Sequence, residues 1–137
     1  MDLSRRELPF LLPLLTGVAA AADVAKLTSK TWRHEELPVR ENGQNRSRAV
    51  FNGESAKGFG LEMHETELAP GLMPHAAHSH AHHEMVILRE GTLEVTISGK
   101  SSRIGPGGIA YVASNEEHGW RNVGTDRARY YVIALGR

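Results

Sequence analysis

The chain has 137 residues, 16 Lys and Arg against 16 Asp and Glu, a formal net charge of zero and no cysteine. That length suits one domain able to bury roughly two-thirds of its unfolded surface. The missing thiols exclude disulfides, thiolate metal sites and thiol nucleophiles, and positive charges scattered among acidic ones argue against nucleic-acid binding through the phosphates.

Met1 to Arg6 is a short polar head ending in Arg5-Arg6. An apolar run from Leu8 to Ala22 follows, broken by Pro9 and Pro13, and closes on Ala19-Ala20-Ala21-Ala22 before Asp23. A positive head, a short apolar stretch and a small-residue exit form the layout of an export signal. The run is too short and too proline-broken to span a bilayer, so no stable membrane insertion is expected. Ser4-Arg5-Arg6-Glu7-Leu8 partly resembles a twin-arginine signal, which implies a periplasmic or secreted protein cleaved after Ala22. The alternative is an N-terminal amphipathic or buried helix of the domain itself.

Residues 23–57 form a polar, weakly patterned arm. Trp32 and Leu37-Pro38-Val39 are expected to pack as an edge strand or arm, with a loop at Glu41-Asn42-Gly43-Gln44-Asn45 and a turn at Asn52-Gly53. From Gly58 short strand-like runs alternate with Gly, Pro and Asn turns, so the main domain is expected over 58–137. Phe59 to Leu68 alternates, with Phe59, Leu61 and Met63 on one side and charges on the other. Met85 to Leu88 is a continuous apolar run, consistent with a buried strand. Thr92 to Ile97 alternates ahead of a turn at Ser98-Gly99-Lys100. Ile109 to Ala113 and Tyr130 to Leu135 are the last two strand-like runs. This spacing predicts an all-β sandwich or barrel; after Ala22 no helical period is sustained.

Histidine is the unusual residue, at 8 per chain. His75, His78, His80, His82 and His83 crowd together just before Glu84. Two histidines one residue apart on a strand share a face, which aims two imidazoles at one ion. Glu84 can return to that ion from the next strand, and His118 can supply a third imidazole once an antiparallel barrel folds it back. Imidazoles with one carboxylate suit Mn, Fe, Ni or Zn. Two other readings stand beside this one: a surface metal-scavenging tract, or a solvated loop rich in histidine by accident.

The spacing also resembles a known family. Cupins carry a first motif of Gly, five residues, His-x-His, three or four residues, Glu, six residues and Gly. Here Gly71 is followed by six residues; His78, His80, Glu84 and Gly91 then fit. The second motif is Gly, five residues, Pro-x-Gly, two residues, His, three residues and Asn. Gly107, His118 and Asn122 fit it, with Ala113 and Asn115 in place of Pro and Gly, and Gly108 stands where many relatives carry Asp. The resemblance covers about Gly58 to Leu135. It implies a small RmlC-like cupin, a jelly-roll barrel (double-stranded β-helix) holding one divalent transition metal on His78, His80, Glu84 and His118. Asn115 can replace Gly if that position needs a positive φ.

His75, His82 and His83 are expected at the rim, orienting ligands, with His82, which shares the parity of His78 and His80, expected to face the cavity. His34 and His64 read as surface or arm residues. Trp120 either lines the cavity or packs in the core. Met63, Met85, Tyr111 and Tyr130 are expected to pack rather than touch substrate. Three imidazoles and one carboxylate leave open positions on an octahedral ion, which permits Lewis-acid, water-activating or oxygen chemistry. The leading expectation is a small metal-dependent enzyme acting on a small molecule, an oxygenase first and an isomerase among the options. Glu84 is then a ligand that also shuttles a proton. The alternatives are a non-catalytic small-molecule or sugar-binding module, and a structural cupin whose metal only pins the strands. The resemblance also implies a homodimer, formed through strands ahead of the first motif.

Overall fold

The computed structural model describes residues 23–136; the export segment expected over 1–22 lies outside them. Apart from a 3₁₀ turn at His34–Glu36, the described residues build strands β1 (Val39–Asn42), β2 (Asn45–Glu54), β3 (Gly60–Leu68), β4 (His83–Glu90), β5 (Leu93–Ile97), β6 (Lys100–Ile104), β7 (Ile109–Val112), β8 (His118–Asn122) and β9 (Ala128–Leu135). One sheet runs β1-β2-β3-β9-β4-β7 and the other β6-β5-β8. All neighbouring strands pair antiparallel. This is the expected all-β jelly roll.

Alternation along each strand decides what lies between the sheets. The larger sheet sends in Leu68, Val86, Leu88, Ala110, Tyr130 and Val132; Leu93, Val95 and Trp120 meet them from the smaller sheet. Each fully buried Leu or Val among them stabilises the fold by about 1.5–3 kcal/mol. Glycine shapes two close approaches. Gly91, with φ +86°, lies where a Cβ would sit 2.7 Å from Ala128 Cα. Gly53 lies where a Cβ would run into Ala25 O. The turn expected at Asn52-Gly53 is therefore absent: this pair lies inside β2, and the glycine admits the incoming chain, whose Lys26 bridges to Glu54.

The segment drawn as an arm gives β1 and β2 to the larger sheet. Trp32 folds over Phe51 on the outer face, ring centroids 5.4 Å apart. The alternation of β3 is real but its sense is reversed. Glu62, His64 and Thr66 pair with Ala134, Val132 and Tyr130 of β9, so these polar residues look into the barrel and Leu61 and Met63 look out. Phe59, just before the strand, is exposed. The Met85 to Leu88 run divides the same way: Val86 and Leu88 are buried, while Met85 and Ile87 face outward and are only partly covered.

Farther along β3, Glu65 and Glu67 also face outward, yet both are buried. His34 Nε2 lies 2.8 Å from Glu65, Arg48 bonds both carboxylates, and Arg129 lies 3.5 Å from Glu67. Burial alone pushes the Glu67 carboxyl up, but Arg48 and Arg129 prevail and hold it below the usual carboxylate range.

Candidate metal centre

The loop between β3 and β4 runs along β8 like a partial strand. Gly71 N–H donates to Asn122 O at 2.9 Å, and Asn122 N–H donates to Leu72 O at 3.0 Å. Farther on, His78 and His118 form an isolated antiparallel bridge. Gly119, beside His118, permits the fit, since a Cβ there would already sit 3.2 Å from Ala77 Cβ. Asn115 N–H donates to His80 O at 2.7 Å, tying that residue to the turn before β8. Asn115 has φ +64°, the left-handed conformation for which Asn substitutes for Gly. Asn122 is fully buried and donates to Leu68 O and Asp126 O, fastening β8 to the end of β3.

This backbone brings together His78, His80, Glu84 and His118. The ring centroids of His78, His80 and His118 lie 4.7–5.2 Å apart. Glu84 Oε2 is 2.8 Å from His80 Nε2 and 3.0 Å from His118 Nε2. His78 and His80 do not lie on a regular strand, so strand parity is not what aligns them; the bridge to β8 is.

Each imidazole is oriented from behind. The Nδ1 atoms face Ala76 O at 3.3 Å for His78, His82 O at 2.9 Å for His80 and Glu116 O at 2.8 Å for His118. A carbonyl only accepts, so Nδ1 carries the proton and Nε2 keeps its lone pair for the centre. His80 and His118 therefore face an acceptor at both ring nitrogens, while a neutral imidazole has one proton to give. A cation among the three Nε2 atoms and the Glu84 carboxylate resolves that mismatch, so the residues fit a metal ion. Burial lowers the affinity of His78 for protons, and the charges of His75, His118 and His80 add to this. The Ala76 carbonyl opposes this, but the net direction favours the neutral form that a ligand needs.

The other histidines divide. His82 stacks on His80 at 3.6 Å and 8°, and groups with His80 and Glu84 within metal-ligating distance. His75 lies against His78, centroids 4.3 Å apart, and lines the cavity. His83 is not at the rim. It begins β4 and faces the outer side of the sheet, stacked on Tyr111, with Tyr111 Oη 2.7 Å from its Nδ1. His34 lies over the outer face against Glu65.

Beside the centre is a cavity of about 240 Å³, lined by Glu84, Trp120, Tyr130, Thr66, His64 and His75 among others. Trp120 fills both roles expected of it: it packs in the core and stacks against His118 at 5.8 Å. Its Nε1–H donates to Tyr130 Oη at 2.7 Å, and burial keeps the Tyr130 hydroxyl far above its usual range and neutral. Tyr130 thus packs and also lines the cavity. His64, assigned to the surface by sequence, is a wall residue; the reversed alternation of β3 is the signal that finds it.

The chain folds like several solved structures. An RmlC-like cupin from Shewanella frigidimarina is 16% identical, with a TM-score of 0.67 over 80% of this chain and 93% of that one. KdgF from Halomonas sp. is 17% identical, with a TM-score of 0.68 over 80% and 96%. TT1209 from Thermus thermophilus is 22% identical, with a TM-score of 0.66 over 80% and 99%. No curated protein sequence matches the chain. The family model for the cupin domain matches residues 64–134, more than half the chain and all four converging side chains, and the chain belongs to the cupin family.

Proposed function

We propose that this cupin is a metal-dependent enzyme acting on a small oxygen-bearing molecule, with oxygenase chemistry first in line. Three pre-oriented imidazoles that converge, two of them with Nε2 against the Glu84 carboxylate, carry this reading. The bound ion, one of Mn, Fe, Ni or Zn, supplies Lewis-acid or redox chemistry. His78, His80 and His118 hold their rings fixed by backbone carbonyls. Glu84 Oε2, shared by two imidazoles in a buried position, is placed to take up and return a proton at the centre. Trp120, Tyr130 and Val132 exclude water from the inner wall.

Similar folds include a polyketide cyclase from Streptomyces resistomycificus and an oxalate decarboxylase from B. subtilis, which makes enzymatic use of this scaffold a reasonable reading. Metal analysis followed by oxygen-consumption assays across aromatic and hydroxylated small molecules tests it. Iron or manganese with turnover supports the proposal. A metal-loaded protein that binds ligands without turnover replaces it with the sugar- or small-molecule-binding module.

Two further proposals attach to the chain. It is exported, on the layout of residues 1–22, which N-terminal sequencing of the mature protein checks. It also pairs with a second copy, an arrangement supported by the apolar outer face of the larger sheet, where Ile109 and Tyr111 are exposed.

A further inference from the structure

On β3 the ordinary rule of apolar side in, polar side out is reversed, and two of the inward residues touch each other. His64 Nδ1 lies 2.7 Å from Glu62 Oε1. With the carboxylate accepting the Nδ1–H hydrogen bond, Nε2 of the neutral ring is the acceptor. The ring lines the same cavity as Glu84 and Trp120. Register places it on the same wall as Glu84, two strands away: His64 pairs with Val132 of β9, and Val132 pairs with Val86 of β4, two residues beyond Glu84. Two strand spacings separate β3 from β4, about 10 Å. Both strands send side chains inward from the same sheet, and a single-ring molecule lying along this wall is long enough to reach from one to the other.

From these contacts we propose that the Glu62–His64 pair is the second polar anchor of the site. His64 Nε2 accepts a hydroxyl hydrogen of a small hydroxylated substrate whose other oxygen lies at the metal centre. This rests on the reading of the barrel interior as a small-molecule site and adds to it the substrate class and the residue that recognises it. When the hydroxyl ionises, its O–H bond breaks, the electron pair stays on the substrate oxygen and the proton moves to Nε2. The imidazolium so formed is held by the Glu62 carboxylate at Nδ1. The charged and titratable groups around His64 are Arg46 from β2, His75 from the loop, Glu84 from β4 and Tyr130 from β9 in the cavity, with Arg40 from β1 and Glu62 from the same strand in the adjoining groove. The residues paired beside it on β2 and β9, Ala49 and Val132, carry no charge.

The test uses phenol as the hydroxyl probe, with anisole as its donor-free control, on the full protein labelled with ¹⁵N-histidine. Long-range ¹H–¹⁵N spectra, with His64 assigned through His64→Gln, are expected to show the Nδ1–H tautomer and a shift of the Nε2 resonance with phenol but not with anisole. Loss of one hydrogen bond weakens phenol binding about fivefold to tenfold in His64→Gln. Glu62→Gln, which keeps the shape of the wall, is expected to mix the two tautomers and to lose part of the same preference. Bound metal stays at the wild-type level in both variants. The proposal is overturned if phenol and anisole move His64 equally, or if His64→Gln binds phenol as the wild type does. Metal content read in the same samples keeps this failure distinct from a failure of the metal centre.

Discussion

His78 and His118 face each other across a two-bond backbone bridge: His78 N–H donates to His118 O at 3.0 Å, and His118 N–H donates to His78 O at 2.8 Å. Their main chains are joined whatever their side chains are. The ligands are thus mounted on paired backbone, and losing one imidazole need not release the loop from β8. His118→Ala and the double variant His78→Ala/His80→Ala are expected to fold and to bind less than a tenth of the metal bound by the wild type, by elemental analysis after reconstitution. Chelation is expected to lower the Tm of the loaded wild type and to leave these variants unmoved. A ligand present at a hundred times its Kd stabilises by about 2.7 kcal/mol, which sets the scale of that shift. Equal metal in wild type and variants would remove the centre from these four residues.

Glu67 gives the fold an acid-sensitive element. Its folded carboxyl titrates below the ordinary value of 4.5, because Arg48 and Arg129 outweigh its burial. A folded-state value lower than the unfolded one means that the ionised group contributes stability above the unfolded value and loses it as pH falls through the folded value. Glu67→Gln breaks a buried pair and is expected to cost on the order of 3 kcal/mol at neutral pH. The gap from wild type is expected to narrow steadily below pH 4.5. Urea unfolding at several pH values reads it; a gap that widens on acidification contradicts the assignment.

Two positions in the family motifs make opposite predictions. Asn115, at φ +64°, already occupies the conformation glycine prefers, and its side chain is exposed, bonding among the described residues to Ser114. Asn115→Gly is expected to change stability by no more than about 0.5 kcal/mol. Gly108 stands where many relatives carry Asp, yet a Cβ there would lie 2.7 Å from Ile104 Cβ and 2.8 Å from Gly105 O. Restoring the family residue, Gly108→Asp, is expected to destabilise this chain by about 1–3 kcal/mol through overpacking. Thermal melts of both variants check the pair, and a neutral Gly108→Asp would show that the turn before β7 yields easily.

Strands β4, β5, β7 and β9 were legible because short apolar or alternating runs ended at glycine or asparagine turns. Ser98 and Gly99, with φ 47° and 78°, make the tight hairpin turn their residue types imply. The four converging residues were legible because motif spacing encodes the barrel register. β6 was not, since Lys100 to Arg103 are all exposed and carry no apolar alternation; pairing with β5 alone makes it a strand. β3 was seen but turned the wrong way. Hydrophobic patterning assumes that the inside is apolar, and this inside is partly polar, so Glu62 and His64 point inward while Leu61 and Met63 point outward. His83 failed for a related reason: nearness to the histidine tract suggested the rim, but a position one residue before Glu84 on the same strand must face the other way.

The outward-facing apolar residues of the larger sheet form a row. Phe51 pairs with Met63, Met63 with Ile133, Ile133 with Met85, and Met85 with Tyr111, crossing β2, β3, β9, β4 and β7 in turn. Trp32 covers the Phe51 end, whereas Ile109 and Tyr111 at the β7 end are 61% and 54% exposed. Contiguous apolar surface of this kind is a cost to a monomer in water and a gain to a pair. An interface made by one such patch on each of two copies is closed by two-fold symmetry and stops at the dimer. Light scattering on the eluting wild type is expected to give twice the chain mass, and Ile109→Glu/Tyr111→Glu to give a folded species of single chain mass. Both side chains lie on an edge strand and outside the barrel interior, so the double variant is expected to keep its metal. A wild type that elutes as a single chain at all concentrations would show that this face stays solvated.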